Sequence, residues 1–250
     1  NNTMSLSIPY LPPVSVDGES VASYMPIVFF DDFLCGGFVK DLALSSESDP
    51  GAKFSAVADC GEWFCSITDG GGDDAHAIVC ADDGVGGLLV VSTDDADNDL
   101  INMQLNGESF QLATNKKTIF EVRMHIEDVD VVDWFVGLAI TDASVQAACT
   151  DRLGFACEDN TGDIDAISEK DSAQTTTDTT KDLVDSTFVV LRFEAEGTDL
   201  VRFYVDGSLV ATHTTNIPED EALTPTICIR NAHASIQTMT LDYILVARDR

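Results

Sequence analysis

Thr118-Ile119-Phe120-Glu121-Val122-Arg123-Met124-His125-Ile126 decides the fold. Phe120, Val122, Met124 and Ile126 alternate with Glu121, Arg123 and His125, which is the period of a strand with one buried face, not of a helix. Trp134-Phe135-Val136-Gly137-Leu138-Ala139-Ile140 follows and is apolar at successive positions, so it predicts a strand enclosed on both faces.

Working outward, the same grammar recurs. Upstream lie Ile27-Val28-Phe29-Phe30, Glu62 to Ile67, His76 to Cys80, Gly87 to Val91 and Leu100 to Leu105. Downstream lie Phe188 to Ala195, Leu200 to Val205, Leu209 to Thr212, Thr226 to Ile229 and Met239 to Val246. Asp206-Gly207 marks a tight hairpin, with glycine supplying the positive φ that such turns require. Roughly a dozen short strands separated by Gly/Asp-rich turns, with no long amphipathic helix, predict one all-β sandwich from residue 27 to 250. Trp134, Phe135, Phe120, Val122, Phe188, Val190 and Phe203 are expected in its core. Val145 to Cys149 is expected to form one short helical turn, and Ser168 to Lys181 a polar loop.

Composition narrows the function. The 250 residues carry 44 Asp plus Glu against 13 Lys plus Arg, a net charge of -31. Such a chain repels phosphate backbones and anionic headgroups, so neither nucleic acid nor a membrane surface is expected as a partner. No run approaches the ~18 apolar residues that a bilayer span needs. The first residues show no basic and apolar leader, so no secretory signal is expected in the numbered chain. The seven cysteines form no paired framework and are expected to be mostly buried free thiols of a protein assembled in a reducing cytoplasm. Cys60 and Cys65 form C-x4-C without the second pair that structural zinc requires.

Residues 1–26 read differently. Pro9, Pro12, Pro13 and Pro26 are four of the seven prolines, and each removes a ladder donor. This stretch is expected to be an extended arm whose Leu6, Ile8, Tyr10, Leu11, Val14 and Val16 bury against a partner.

The chemistry-bearing motifs are sparse. Asp69 to Asp74 and Asp94 to Asp99 are acidic turns of the kind that hold calcium. Asp95, Asp97 and Asp99 sit at alternate positions, but Leu100 stands where an EF-hand loop needs glycine and Asn106 where it needs its bidentate Glu. They remain the candidate ligands of a sandwich-loop calcium ion, and no other cofactor is expected. His76, His125, His213 and His233 are scattered singles without metal-site spacing. Asp163-Ile164-Asp165-Ala166-Ile167-Ser168-Glu169 loosely resembles the E-x-D-x-x-E strand of laminarinase-like glycoside hydrolases. It departs at the first position and in the final spacing, and two tryptophans are few for sugar platforms. No enzyme activity is therefore expected.

Taken in order, Phe29-Phe30-Asp31-Asp32-Phe33, Phe120 to Met124 with Phe135 to Leu138, Phe203 to Gly207 and Leu241 to Arg248 resemble the concanavalin A-like (laminin-G-like) jelly rolls of tailed-bacteriophage virion proteins. The resemblance covers about residues 27 to 250, and its motifs are structural. It implies a two-sheet antiparallel jelly roll and a non-enzymatic capsid decoration (cement) protein on the virion surface. Its implied partners are the major capsid protein and neighbouring copies of itself. The alternative is a carbohydrate-binding, lectin-like fibre or spike module that meets a surface glycan, with a glycoside hydrolase ranked behind it.

Overall fold

The computed structural model describes residues 27–33, 54–55, 63–68, 76–82 and 86–250. The expected N-terminal arm, the acidic stretch 69–74 and Cys60 lie outside these. Numbered along the chain, β1 (Ile27–Asp31), β4 (Ala77–Asp82), β5 (Gly87–Ser92), β7 (Lys117–Ile126), β12 (Val189–Glu196), β13 (Leu200–Val205), β14 (Ser208–His213) and β16 (Thr238–Arg248) form sheet I. Its order is β14-β13-β12-β7-β16-β5-β4, and β1 also pairs with β16. Sheet II has the order β11-β10-β9-β8-β15-β6-β3-β2. Its members are β2 (Phe54–Ser55), β3 (Trp63–Thr68), β6 (Leu100–Leu105), β8 (Val132–Ala139), β9 (Arg152–Cys157), β10 (Asp163–Lys170), β11 (Ala173–Asp182) and β15 (Thr224–Asn231). Every pairing is antiparallel. The predicted jelly-roll sandwich is what the chain forms.

The strand that decides the fold behaves as its alternation demands: on β7, Phe120, Val122, Met124 and Ile126 are buried and the residues between them partly exposed. The main core lies between the sheets, where Phe120 stacks on Phe193 at 5.3 Å and Phe155 meets Phe203 edge-on at 5.4 Å. Offset and edge-on geometries suit the ring quadrupoles and add to the area buried. The Asp206-Gly207 hairpin joins β13 to β14 with φ of 48° and 76°, as a primed turn requires.

Three expectations are corrected. Phe188 and Val190 are not core residues: the register of β12 on β7 sets Leu191 against Val122 and Phe193 against Phe120, so Val189, Leu191 and Phe193 point inward. Phe188 lies instead on the outer face of sheet I, under the Arg123 guanidinium at 4.0 Å and edge-on to His125. Ser168 to Lys181 is not a loop but most of the β10–β11 hairpin, turned at Asp171-Ser172, both with positive φ. β11 is a sheet edge exposed along most of its length, which is why threonine, β-branched and polar, builds it. Phe135 is buried, but on the opposite side of sheet II from the main core.

Candidate functional site

β8 is buried along its whole length although a two-layer sandwich encloses only one face of each sheet. The connection between β8 and β9 supplies the second cover. Residues 140–151, with the one-turn helix α1 (Val145–Ala148), lie across the outer face of sheet II. Val145 and Cys149 pack there on Leu100, Phe135, Ala139, Ala156, Ile167 and Cys228, a second apolar cluster. Side chains of β6 hold the backbone of this strap. Asn102 Nδ2 donates to Asp142 O at 2.7 Å, Gln104 Nε2 to Ile140 O at 2.8 Å, and Gln104 Oε1 accepts from Asp142 N at 2.9 Å.

Beside the strap the outer face stays open and carries carboxylates. On β10, Ile164 and Ala166 belong to the main core and Ile167 to the outer cluster, so alternation places Asp163, Asp165 and Glu169 on the outer face. The three carboxylates of the sequence motif thus share one strand face. Asp165 lies opposite Ala156 of β9 on one side and Asp178 of β11 on the other. Directly opposed residues of antiparallel strands hold their Cβ atoms ~4.5–5.5 Å apart. Burial, then Asp178, Asp159, Asp163 and Glu158, raise the Asp165 carboxyl above its ordinary pKa, so it keeps its proton to higher pH than a free aspartate.

Glu169 has a different environment. Arg152, opposite it on β9, donates from Nε to Glu169 Oε2 at 2.7 Å and binds Glu158 Oε1 through NH2 at 2.7 Å. NH1 reaches Val145 O at 3.4 Å, tying the ion pair to the strap. Burial works against the Arg152 charge, but Glu158 and Glu169 outweigh it and hold the guanidinium above its ordinary pKa. One face therefore offers a carboxyl inclined to keep its proton and, four residues on, a carboxylate clamped by a cation. Near the hairpin tip a polar cleft of about 350 Å³ is lined by Lys170, Thr198, Thr214, Asn216 and Glu219.

A serine and a histidine also meet, without forming a nucleophile. Ser168 Oγ lies 2.9 Å from His213 Nδ1, but the hydroxyl donates to Thr215 O at 3.0 Å. The network therefore assigns the ring proton to Nδ1, while Nε2 accepts from Thr177 Oγ1 at 3.0 Å. Buried against Phe203, His213 is kept neutral, its pKa lowered by burial from 6.5 to about 4. Above pH 6.5 the ring is neutral folded or unfolded. As pH falls from 6.5 to 4 only the unfolded chain takes the proton, so stability is lost across that window, about 3 kcal/mol in all. In urea titrations His213→Gln, weaker at pH 7, is expected to approach the parent protein's stability by pH 4; parallel pH profiles would remove His213 as the source.

The calcium candidates are not drawn together. Asp99 is buried, with Oδ2 accepting from Ala96 N at 3.0 Å and Oδ1 3.9 Å from His76 Nε2, while Asp95 and Asp97 are exposed. Among the described residues no group of three His, Cys, Asp or Glu forms a metal-holding cluster. Cys65, Cys149, Cys157 and Cys228 are buried free thiols.

Arg152, Asp178 and the Asn102/Gln104 pair were missed by the sequence reading. Arg152 could have been found as the cation that opens the apolar run Leu153-Gly154-Phe155-Ala156-Cys157. Asp178 carried no signal apart from pairing, which only the hairpin register supplies.

The family model described as SO2946-like, C-terminal domain, matches residues 92–243. Comparison with curated protein sequences finds no match. Among solved structures, a protein of unknown function, SO2946 from Shewanella oneidensis MR-1, is 15% identical with a TM-score of 0.58, over 92% of this chain and 89% of that one. An endo-1,3-beta-glucanase from Streptomyces sioyaensis is 14% identical, TM-score 0.56, over 93% and 99%. SCLam, a non-specific endo-beta-1,3(4)-glucanase from family GH16, is 13% identical, TM-score 0.60, over 92% of each. At these identities the likeness shows the concanavalin A-like fold. It also corrects two expectations. The neighbours with a stated activity are polysaccharide-cleaving glucanases and none of the three is described as a virion protein, so the capsid-decoration reading falls, and the expectation of no enzyme activity falls with it. The carbohydrate-binding alternative stands closer to these neighbours.

Proposed function

The chain belongs to the SO2946-like C-terminal-domain family, and from that premise we propose that it is a carbohydrate-active sandwich which engages a polysaccharide across the outer face of sheet II. The observation that carries this reading is the alignment of Asp163, Asp165 and Glu169 on one face of β10. A row of carboxylates matches the hydroxyls of a sugar chain. The charge of -31 opposes a polyanionic glycan and favours a neutral one, which suits a β-glucan of the kind the two neighbouring glucanases are named for.

The raised pKa of Asp165 favours a catalytic role as well as binding. Glycoside cleavage needs one carboxyl that still holds a proton for the leaving oxygen and a second, ionised one within ~5–9.5 Å. Asp165 is the proton donor in this reading, and Asp178, opposed to it across the β10–β11 pair, is the second carboxylate. Reducing-end release from laminarin and mixed-linkage β-glucan, with binding followed by calorimetry, tests both parts. Asp165→Asn is expected to keep binding and to lose ~10²–10⁴-fold in rate, the usual worth of a positioned general acid. Equal turnover by the variant would remove Asp165 from catalysis. Absence of both binding and turnover on neutral glucans would overturn the reading.

A further inference from the structure

The strap over sheet II seals its apolar cluster but leaves hydrogen bonding incomplete. Asn102 is fully buried and its Oδ1 has no partner; Asp133 Oδ1 and both side-chain amide atoms of Gln146 are in the same position. Buried polar atoms without partners make the closed arrangement costly to keep. Ser144 provides α1 with no side-chain cap, and a four-residue helix has little stability of its own. The strap's neck, by contrast, is firm: Ile140 N donates to Asp151 O, and Asp151 Oδ1 accepts from Asp171 N.

We infer that residues 140–151 are a strap that opens over a cryptic subsite for a neutral polysaccharide segment, an inference that rests on the outer face being the glycan face. The hinge points are Ile140 and Asp151. The bonds that must break run from sheet side chains to strap backbone, so Asn102 and Gln104 stay on the face and can turn to sugar hydroxyls instead. Lifting Val145 uncovers the Phe135 ring, an apolar surface for the C–H face of a sugar, and gives the unpaired Asn102 Oδ1 a donor. The loss of apolar contact beneath Val145 is thereby offset by ligand contact, which makes the opening dependent on ligand.

Two cysteines report on this motion. Cys228 lies under the strap and Cys65 in the main core, and burial pushes both thiols up to about 12. Neither reacts readily until its surroundings open. Iodoacetamide labelling of the full chain, resolved by peptide mass spectrometry, is expected to show Cys228 reacting at least ~100-fold faster than Cys65 without denaturant, with little dependence on low urea. Val145→Ala is expected to speed Cys228 about tenfold further and leave Cys65 unchanged. Labelling of both thiols in one step, with one urea dependence in parent and variant, would make the strap fixed core and overturn the inference. Laminari-oligosaccharides are expected to change the Cys228 rate and not the Cys65 rate. Two distinct rates that no sugar alters would strike out the subsite and the glycan reading while leaving the strap's motion in place.

Discussion

Gly154→Ala is expected to cost at least ~3 kcal/mol, and Gly154→Val to prevent folding at ordinary temperature. Gly137 and Gly154 face each other across β8 and β9. A Cβ on Gly154 would lie 2.3 Å from Val136 O and 2.8 Å from the Gly137 Cα; one on Gly137 would lie 2.3 Å from Leu153 O and 2.7 Å from the Gly154 Cα. These are backbone atoms of paired strands, so no side-chain rotation relieves the clash. The strands would have to separate in the middle of sheet II, beneath Phe135 and the strap and beside the Arg152 ion pair. Gly107, with φ of 96° and no atom near its Cβ position, is the control. Alanine there meets only backbone strain, about 1 kcal/mol. Denaturant unfolding of the two variants separates the causes. A Gly154→Ala protein within 1 kcal/mol of the parent would mean that the strands do not approach as closely as described.

How much of this was legible depended on which physical signal each element carries. β7 could be read because its polar residues punctuate the apolar ones, so parity is fixed locally. Phe188-Val189-Val190-Leu191 has no such punctuation, and the inward set was misassigned. Arg192 and Glu194 further along the same strand did encode the answer, since both sit on the outer face with Val190. The β10–β11 hairpin was misread for a related reason. An edge strand whose inward positions, Thr175, Thr177 and Thr179, are polar lacks the hydrophobic alternation that betrays buried strands, and Thr175 to Thr180 looked like solvated loop. That error hid the site. Once β10 runs on to Lys170, Glu169 shares a face with Asp163 and Asp165, whereas a loop beginning at Ser168 leaves it unrelated to them. Asp178 and the Arg152–Glu169 pair depend on register across strands, which no local pattern reports. The apolar character of Phe135 was visible, but its cause was not the centre of a sandwich. It is covered by a strap from the next connection, and nothing in the spacing of Ile140 to Asp151 said where that segment would lie.

Arg152→Met should remove about 3–5 kcal/mol of stability and loosen the strap as it does so. The side chain of Glu169 is only 9% exposed and that of Arg152 5%, so the pair is held out of water by the outer cluster and the strap. With methionine in place, the carboxylate keeps its burial and loses the Arg152 cation, while Glu158 loses its ion pair with the same guanidinium. An uncompensated buried carboxylate answers by taking up a proton. The penalty should therefore shrink as pH falls below neutrality, because the protonated acid no longer needs a cation. Arg152→Lys keeps a charge but cannot serve Glu169, Glu158 and Val145 O from one planar fork, and is expected to fall between. Replacing both partners, Arg152→Met with Glu169→Leu, leaves no buried charge, so it should recover most of the loss. Urea unfolding of the parent and the three variants at pH 7 and pH 5 measures these penalties. If the single Arg152→Met change costs no more than the double one, the pair is an incidental contact, and the strap is held by Asn102, Gln104 and apolar packing alone.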